Sequence, residues 1–401
     1  MSPVHNRHLV ILLLLLLATA GARDPKKDAE TGRIRILYIG DAWGPTPYFH
    51  MEAEPSFLGT PIPATYAHIG TYGGRELKQF MRIYMPRNFR EFVDSYDILI
   101  LSDTNRALYR ADQLGWFKRG VSENGIGIMM VGGIEAFGGD NHPTWGDSPV
   151  EDALPVICVD GKTFRKDFKV VVNYEDDPLI KSLPWNTMPF YHGMNVVTPK
   201  EGSRTLLSAD LTPYHPIVSY WEYGQGSGLA HMPDWTPAWG SSIMYYWDFY
   251  PDFIANMNYL NAGVEIPQNP EMMHQLRNLL SAYSLNRAMA VSLMEFVEKF
   301  GAKISVGEEH LNSIGLTYKD AQRLFIEQEY EESLSVLYEV EEEFQLLSQE
   351  LVELKSRALL WIYMVEWLTV SGTAILCGVI LWTLMVRRRL YREVRITRAT
   401  T

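Results

Sequence analysis

Seven side chains in the first 142 positions have the chemistry of a polar binding site: Asp41, Trp43, Asp103, Glu135, Phe137, Asp140 and His142. Carboxylates accept hydrogen bonds from hydroxyl and amide groups, and aromatic rings stack on flat or apolar ligand faces. A rim built this way suits a sugar or another polar ligand. It also suits proton transfer, with Glu135 and Asp103 as acid and base beside His142. A plainer reading stands next to both: Asp41 and Asp103 cap loops and helix starts. Asp41, Asp103, Asp140, His142 and His192 are metal-ligating types, but no H-x-x-x-H or D-x-D-x-D spacing joins them. Neither metal nor cofactor is expected. The glycine-rich stretch GGIEAFGG (132–139) lacks the Gly-Lys-Ser/Thr ending of a phosphate loop, and Glu135 would repel phosphate.

The elements that must position these residues are strands. RIRILYIG (33–40) reads as a buried strand ending just before Asp41, and DILILS (97–102) as a central one ending just before Asp103. Ile126–Val131 reads as a third, leading into the glycine-rich turn. Between them the pattern predicts helices at 76–81, 89–95 and 111–124, a strand at 82–85, and an irregular Pro-, Gly- and aromatic-rich stretch from Asp41 to about Gly74. Strands alternating with helices predict an α/β fold with a mostly parallel sheet. In such sheets ligands bind beyond the carboxyl ends of the strands, where the seven residues fall. Shorter strands are expected at 166–172, 205–208, 217–223 and 227–232, with Tyr223-Gly224-Gln225-Gly226 as a hairpin turn. Helices follow at 249–260 and 271–284. The aromatic run from Trp221 to Tyr250 reads as core, or in part as a patch for a protein partner.

Outside this region the chain reads as a membrane protein. Residues 1–22 resemble a secretory signal: Arg7, the apolar run Leu9–Leu17, and Ala20-Gly21-Ala22 as a cleavage site. Residues 285–358 read as a helical hairpin and coiled-coil stalk: a helix at 287–299, a break over 301–315, and a long helix from Thr317 into the span. Leu337, Val340, Phe344, Leu347, Leu351, Leu354, Ala358, Trp361, Val365 and Leu368 alternate in steps of three and four, a heptad seam. The seam predicts a homo-oligomer or a partner helix, or equally packing on the chain's own hairpin. Residues 359–386 contain a span: from Trp367 to Val386 no residue is charged, and about 20 apolar residues cross a bilayer core. Arg387-Arg388-Arg389 opens a basic tail, 387–401, which marks the cytoplasmic side. The expectation is a single-pass cell-membrane protein with its N-terminal domain extracytoplasmic and its C-terminus cytoplasmic. A net charge of −12 argues against nucleic acid as a partner. Of the two cysteines, Cys377 lies in the span and Cys158 has no partner outside it, so no disulfide framework is expected.

Residues 33 to about 284 resemble the class I glutamine-amidotransferase-like superfamily, in particular the branch described as "putative glutamine amidotransferases". The likeness rests on ILYIGDAW (36–43), YDILILSD (96–103), MMVGGIEAFGG (129–139), SPVEDALPV (148–156), HGMNVVTPKEGS (192–203) and WEYGQGSGLAHMPDWTPAWG (221–240). It implies a flavodoxin-like sheet. Amidotransferase chemistry needs a Cys on a sharp strand-to-helix turn, with a His and an acid nearby. Here the turn carries Ile134-Glu135-Ala136, and Ala238-Trp239-Gly240 stands where the resemblance implies a His before Trp-Gly. Loss of the nucleophile removes a rate factor on the order of 10⁴ or more. The expected function is therefore a membrane-anchored, non-catalytic amidotransferase-like domain for ligand binding or protein assembly at the cell surface. The alternative is an exported hydrolase acting on a cell-envelope sugar or amide through rim carboxylates.

Overall fold

The computed structural model describes residues 25–41, 47–64, 74–140, 143–237, 239–240, 244–301 and 304–398. The signal segment 1–22, Trp43, His142 and Ala238 lie outside the described residues. The chain divides into two compact units. One runs to Leu280 and adds Ala321–Ser335; the other comprises Ser281–Asp320 and the chain from Val336 onward.

The first unit opens with β1 (Ile34–Gly40), α1 (Pro47–Ala53), β2 (Phe57–Ile62), α2 (Gly74–Tyr84), α3 (Phe89–Ser95), β3 (Ile98–Ser102), α4 (Ala111–Asn124) and β4 (Gly127–Val131). It continues with α5 (Pro149–Ala153), β5 (Val156–Phe164), β6 (Val170–Val172), α6 (Pro178–Lys181), β7 (Met194–Pro199), β8 (Arg204–Ala209), β9 (Pro216–Tyr223), β10 (Gly226–His231) and α7 (Tyr250–Ala262). One eight-stranded sheet has the order β2-β1-β3-β4-β10-β9-β8-β6. The strands from β2 to β10 pair in parallel, and β10, β9, β8 and β6 pair antiparallel. A separate antiparallel pair joins β5 and β7. Every residue of β3, β4 and β10 is buried, as expected where helices cover both faces of a sheet. Helices α4 and α7 both pack against β4 and β10.

The structure corrects the expectations at four places. The stretch between Asp41 and Gly74 is not wholly irregular: it holds α1 and β2. Strand β2 is an edge strand, and there Pro61 costs no ladder bond. The expected strand at 82–85 is instead the end of α2, because Leu77, Met81 and Met85 recur every four residues and are all buried. The expected helices at 271–284 and 287–299 are one helix, α8 (Pro270–Glu298). Gly315 does not break the chain but lies within α9 (Ser305–Ile326), and the long helix, α10 (Tyr330–Arg398), starts at Tyr330.

In the second unit Val340, Phe344, Leu347 and Leu351 form a core with Ala290, Met294, Leu311 and Ile314. Tyr283 and Tyr318 stack at 3.6 Å with rings 4° apart. The stalk half of the seam is thus buried on this unit's own helices. Further along, Trp361, Trp367 and Leu368 are exposed, as are the large apolar residues from Val370 to Val386. Among the described residues one helix, between Tyr330 and Tyr391, is long and apolar enough to cross a membrane.

Candidate functional site: a buried acidic rim

Register places the acids. Gly40 pairs with Ser102, Ser102 with Val131, and Val131 with His231, so four strands end in one row. The next residues, Asp41 and Asp103, must emerge together on that rim. Asp103 takes φ +42°, a left-handed conformation that non-glycine residues seldom adopt. Its Oδ1 accepts the Glu135 N–H at 2.7 Å. The carboxyl can reach that amide only because position 133 is glycine: φ there is +148°, and a Cβ would lie 2.1 Å from the Asp103 Cγ.

The glycine-rich turn is held from a second side by Asn195 of β7. Its Oδ1 accepts the Gly133 N–H at 2.9 Å, and its Nδ2 donates to the carbonyls of Gly133 (3.0 Å) and Ala136 (3.2 Å). Trp145 Nε1 donates to the carbonyls of Thr104 and Glu135. The Gly132 N–H reaches the His231 and Pro233 carbonyls. Asn105 Nδ2 lies 3.4 Å from Glu135 Oε1.

Beyond β10 a fourth acid joins the group. Asp234 Oδ1 accepts the Thr236 N–H at 2.9 Å, and the Thr236 hydroxyl donates to its Oδ2. Asp41, Asp103, Glu135 and Asp234 are each at most 4% exposed. Burial, then the Asp234 and Asp41 charges, holds the Asp103 carboxyl well above the usual carboxylate range. Burial pushes Asp234 up to about 6. Both carboxyls thus hold their protons more tightly than an ordinary carboxylate, and buried acids of this kind are the raw material of acid–base chemistry.

The other rim residues go elsewhere. Phe137 is fully buried in the core, with φ +51°. Asp140 is engaged at the surface by Arg165 and Thr163. His192 pairs with Asp167 at 2.6 Å. The aromatic run is mostly core: Trp235, Trp239, Trp247 and Tyr250 are buried, whereas Tyr246 is exposed. Asp234 and Asn195 were not singled out by sequence, although both lie inside the stretches that carry the resemblance, MPDW and HGMN. Cys158 is no activated nucleophile. Burial first, then the Glu151 charge, pushes its thiol well above the usual range, the reverse of what a reactive thiolate needs.

Residues 84–262 match the family described as "Putative glutamine amidotransferase". That segment runs from the end of α2 to the end of α7 and is similar to that family over less than half of the chain. Among solved structures, the chain is similar to "Cytoplasmic Protein STM3548 from Salmonella typhimurium" at 20% identity and TM-score 0.48, covering 57% of this chain and 99% of that one. It is also similar to "Cytoplasmic Protein STM1381 from Salmonella typhimurium LT2" at 19% identity and TM-score 0.47, over 57% and 99%. A ThuA-like protein from Bacteroides uniformis matches at 13% identity and TM-score 0.36, over 62% and 98%. No curated protein matches the chain.

Proposed function

We propose that this is a single-pass membrane protein whose amidotransferase-like domain lies outside the cytoplasm, hydrolyses no glutamine, and serves ligand binding or protein assembly at the cell surface. The occupied turn carries this reading. The Gly133 and Glu135 N–H groups of that turn are already bonded to Asn195 and Asp103, which leaves neither free to receive an oxyanion. No Cys, Ser or Thr stands between Gly132 and Gly139 to act as nucleophile. The uncharged stretch before Arg387 supports the anchor and its orientation. The seam buried between Val340 and Leu351 favours a stalk closed on its own hairpin over pairing with a partner helix.

The test is ammonia release from glutamine by the detergent-solubilised full chain, run beside protease protection of intact cells. The reading expects no release and an N-terminal domain open to external protease. Turnover of glutamine, or a protected domain, overturns it. The hydrolase alternative draws on the raised Asp103 and Asp234 carboxyls. Their burial counts against it, because a proton donor must reach its substrate.

A further inference from the structure

A cavity of about 320 Å³ has a chemistry opposite to that of the acidic rim. It lies between α2 and the start of α4, and Lys78, Arg82, Arg110 and Gln113 supply its polar lining. Lys78 and Arg82 stand four residues apart on one face of α2, an arrangement that is mildly repulsive in an isolated helix. Among the described residues neither forms an ion pair or hydrogen bond. Arg110 is held by Asp112 through two bonds of 2.9 and 2.8 Å, so the cavity keeps two uncompensated cations. Gln113 adds a separate pointer. It is 4% exposed, and its Oε1 is fixed by the Arg110 N–H at 3.0 Å. Among the described residues its Nε2 makes no hydrogen bond, and the residue lines the cavity. Among the described residues no acidic side chain lines this space, while Met81 and Leu108 give it an apolar wall.

We propose that this cavity binds a small organic oxyanion, with its phosphate or carboxylate head between Lys78, Arg82 and the Gln113 amide and its apolar part against Met81 and Leu108. Charge-assisted donors are the usual means of holding such a head. The site stands apart from the rim carboxyls, and it persists whether or not the domain is catalytic.

The test is calorimetric titration of the full chain in detergent with phenyl phosphate, benzoate and, as the neutral control, phenol. Phenyl phosphate or benzoate should bind with an affinity that falls as salt rises. The double variant Lys78→Met/Arg82→Gln should weaken it by about tenfold or more, and Gln113→Leu by a few fold, with the thermal transition unchanged for the exposed pair. Phenol binding as tightly as the anions overturns the proposal. So does binding of both anions at wild-type strength by the double variant, or no binding by the wild type.

Discussion

Two buried clusters of charge in the first unit solve the same problem differently. At the end of α1 and along α7 and α8, Glu54 and Asp252 are buried but share Arg277. Its Nε lies 2.7 Å from Glu54 Oε2, and its Nη1 is bonded to Asp252 Oδ1. Tyr259 adds a hydroxyl to Glu54 at 2.6 Å. At the rim, Asp103 and Asp234 are as deeply buried, but the groups that hold them are neutral: the Glu135 amide and Thr236. The first cluster is balanced and behaves as a joint between helices. The second stores unfavourable energy, and proteins keep such arrangements chiefly where a site requires them.

The comparison breaks most readily at Arg277. Arg277→Met strands two buried carboxylates and should destabilise the first unit by about 3–5 kcal/mol, measured by chemical denaturation. A loss under about 1 kcal/mol would mean that Glu54 and Asp252 are not held as pairs. Next comes Gly133→Ala. The new Cβ collides with the Asp103 carboxyl in a backbone conformation that alanine rarely adopts, so a loss of about 2–4 kcal/mol is expected. An unchanged transition would show that the carboxyl does not pack under the turn.

Asp103→Asn should act in the opposite direction. Asparagine keeps an oxygen for the Glu135 N–H and discards the charge. An acid whose folded affinity for protons is raised binds them more tightly folded than unfolded. Its contribution is complete below the ordinary carboxylate value of 3.8 and is lost as pH climbs through the folded value. The variant should therefore be more stable than the wild type at pH 7.5 and lose that gain toward pH 4, read by chemical denaturation at the two pH values. His231, beside the same rim, has the reverse slope. Burial pushes it down to about 3, so it stabilises the fold above 6.5 and loses that stabilisation as pH falls toward 3. The two opposing slopes offset each other in the wild type, and the Asp103 variant exposes the histidine's. A variant less stable than the wild type at pH 7.5 would place Asp103 with the balanced cluster.

The sequence already showed why the rim exists, because the strands ending at Gly40, Ser102 and Val131 read as uninterrupted apolar runs with acids just beyond. It did not show Asp234, whose strand ends in the polar-looking His231. It did not show Asn195, which arrives from the smaller sheet. Both depend on long-range register, which periodicity along one strand does not encode. The joint at Arg277 was equally hidden, since its partners lie 223 and 25 residues away. The cavity lined by Lys78 and Arg82 was hidden for a simpler reason: 82–85 reads as a strand by composition, and a strand would place the two cations on the same face only by accident of length.

The smallest expected effect refines the balanced cluster. Two carboxylates face one guanidinium there, and the remaining negative charge falls near His274, whose Nδ1 lies 3.7 Å from Asp252 Oδ2. The nearby Asp252 carboxylate raises the His274 imidazole above its ordinary 6.5. A base raised in this way stabilises the fold below 6.5 and ceases to do so as pH rises through its folded value. His274 is partly exposed, so solvent screening limits the effect to less than about 1 kcal/mol. His274→Gln should therefore cost a fraction of a kcal/mol at pH 5.5 and nothing at pH 8.5, read as the difference in denaturation midpoint at the two pH values. An equal loss at both would mean that the ring contributes packing against Phe249, 5.0 Å away, and not charge.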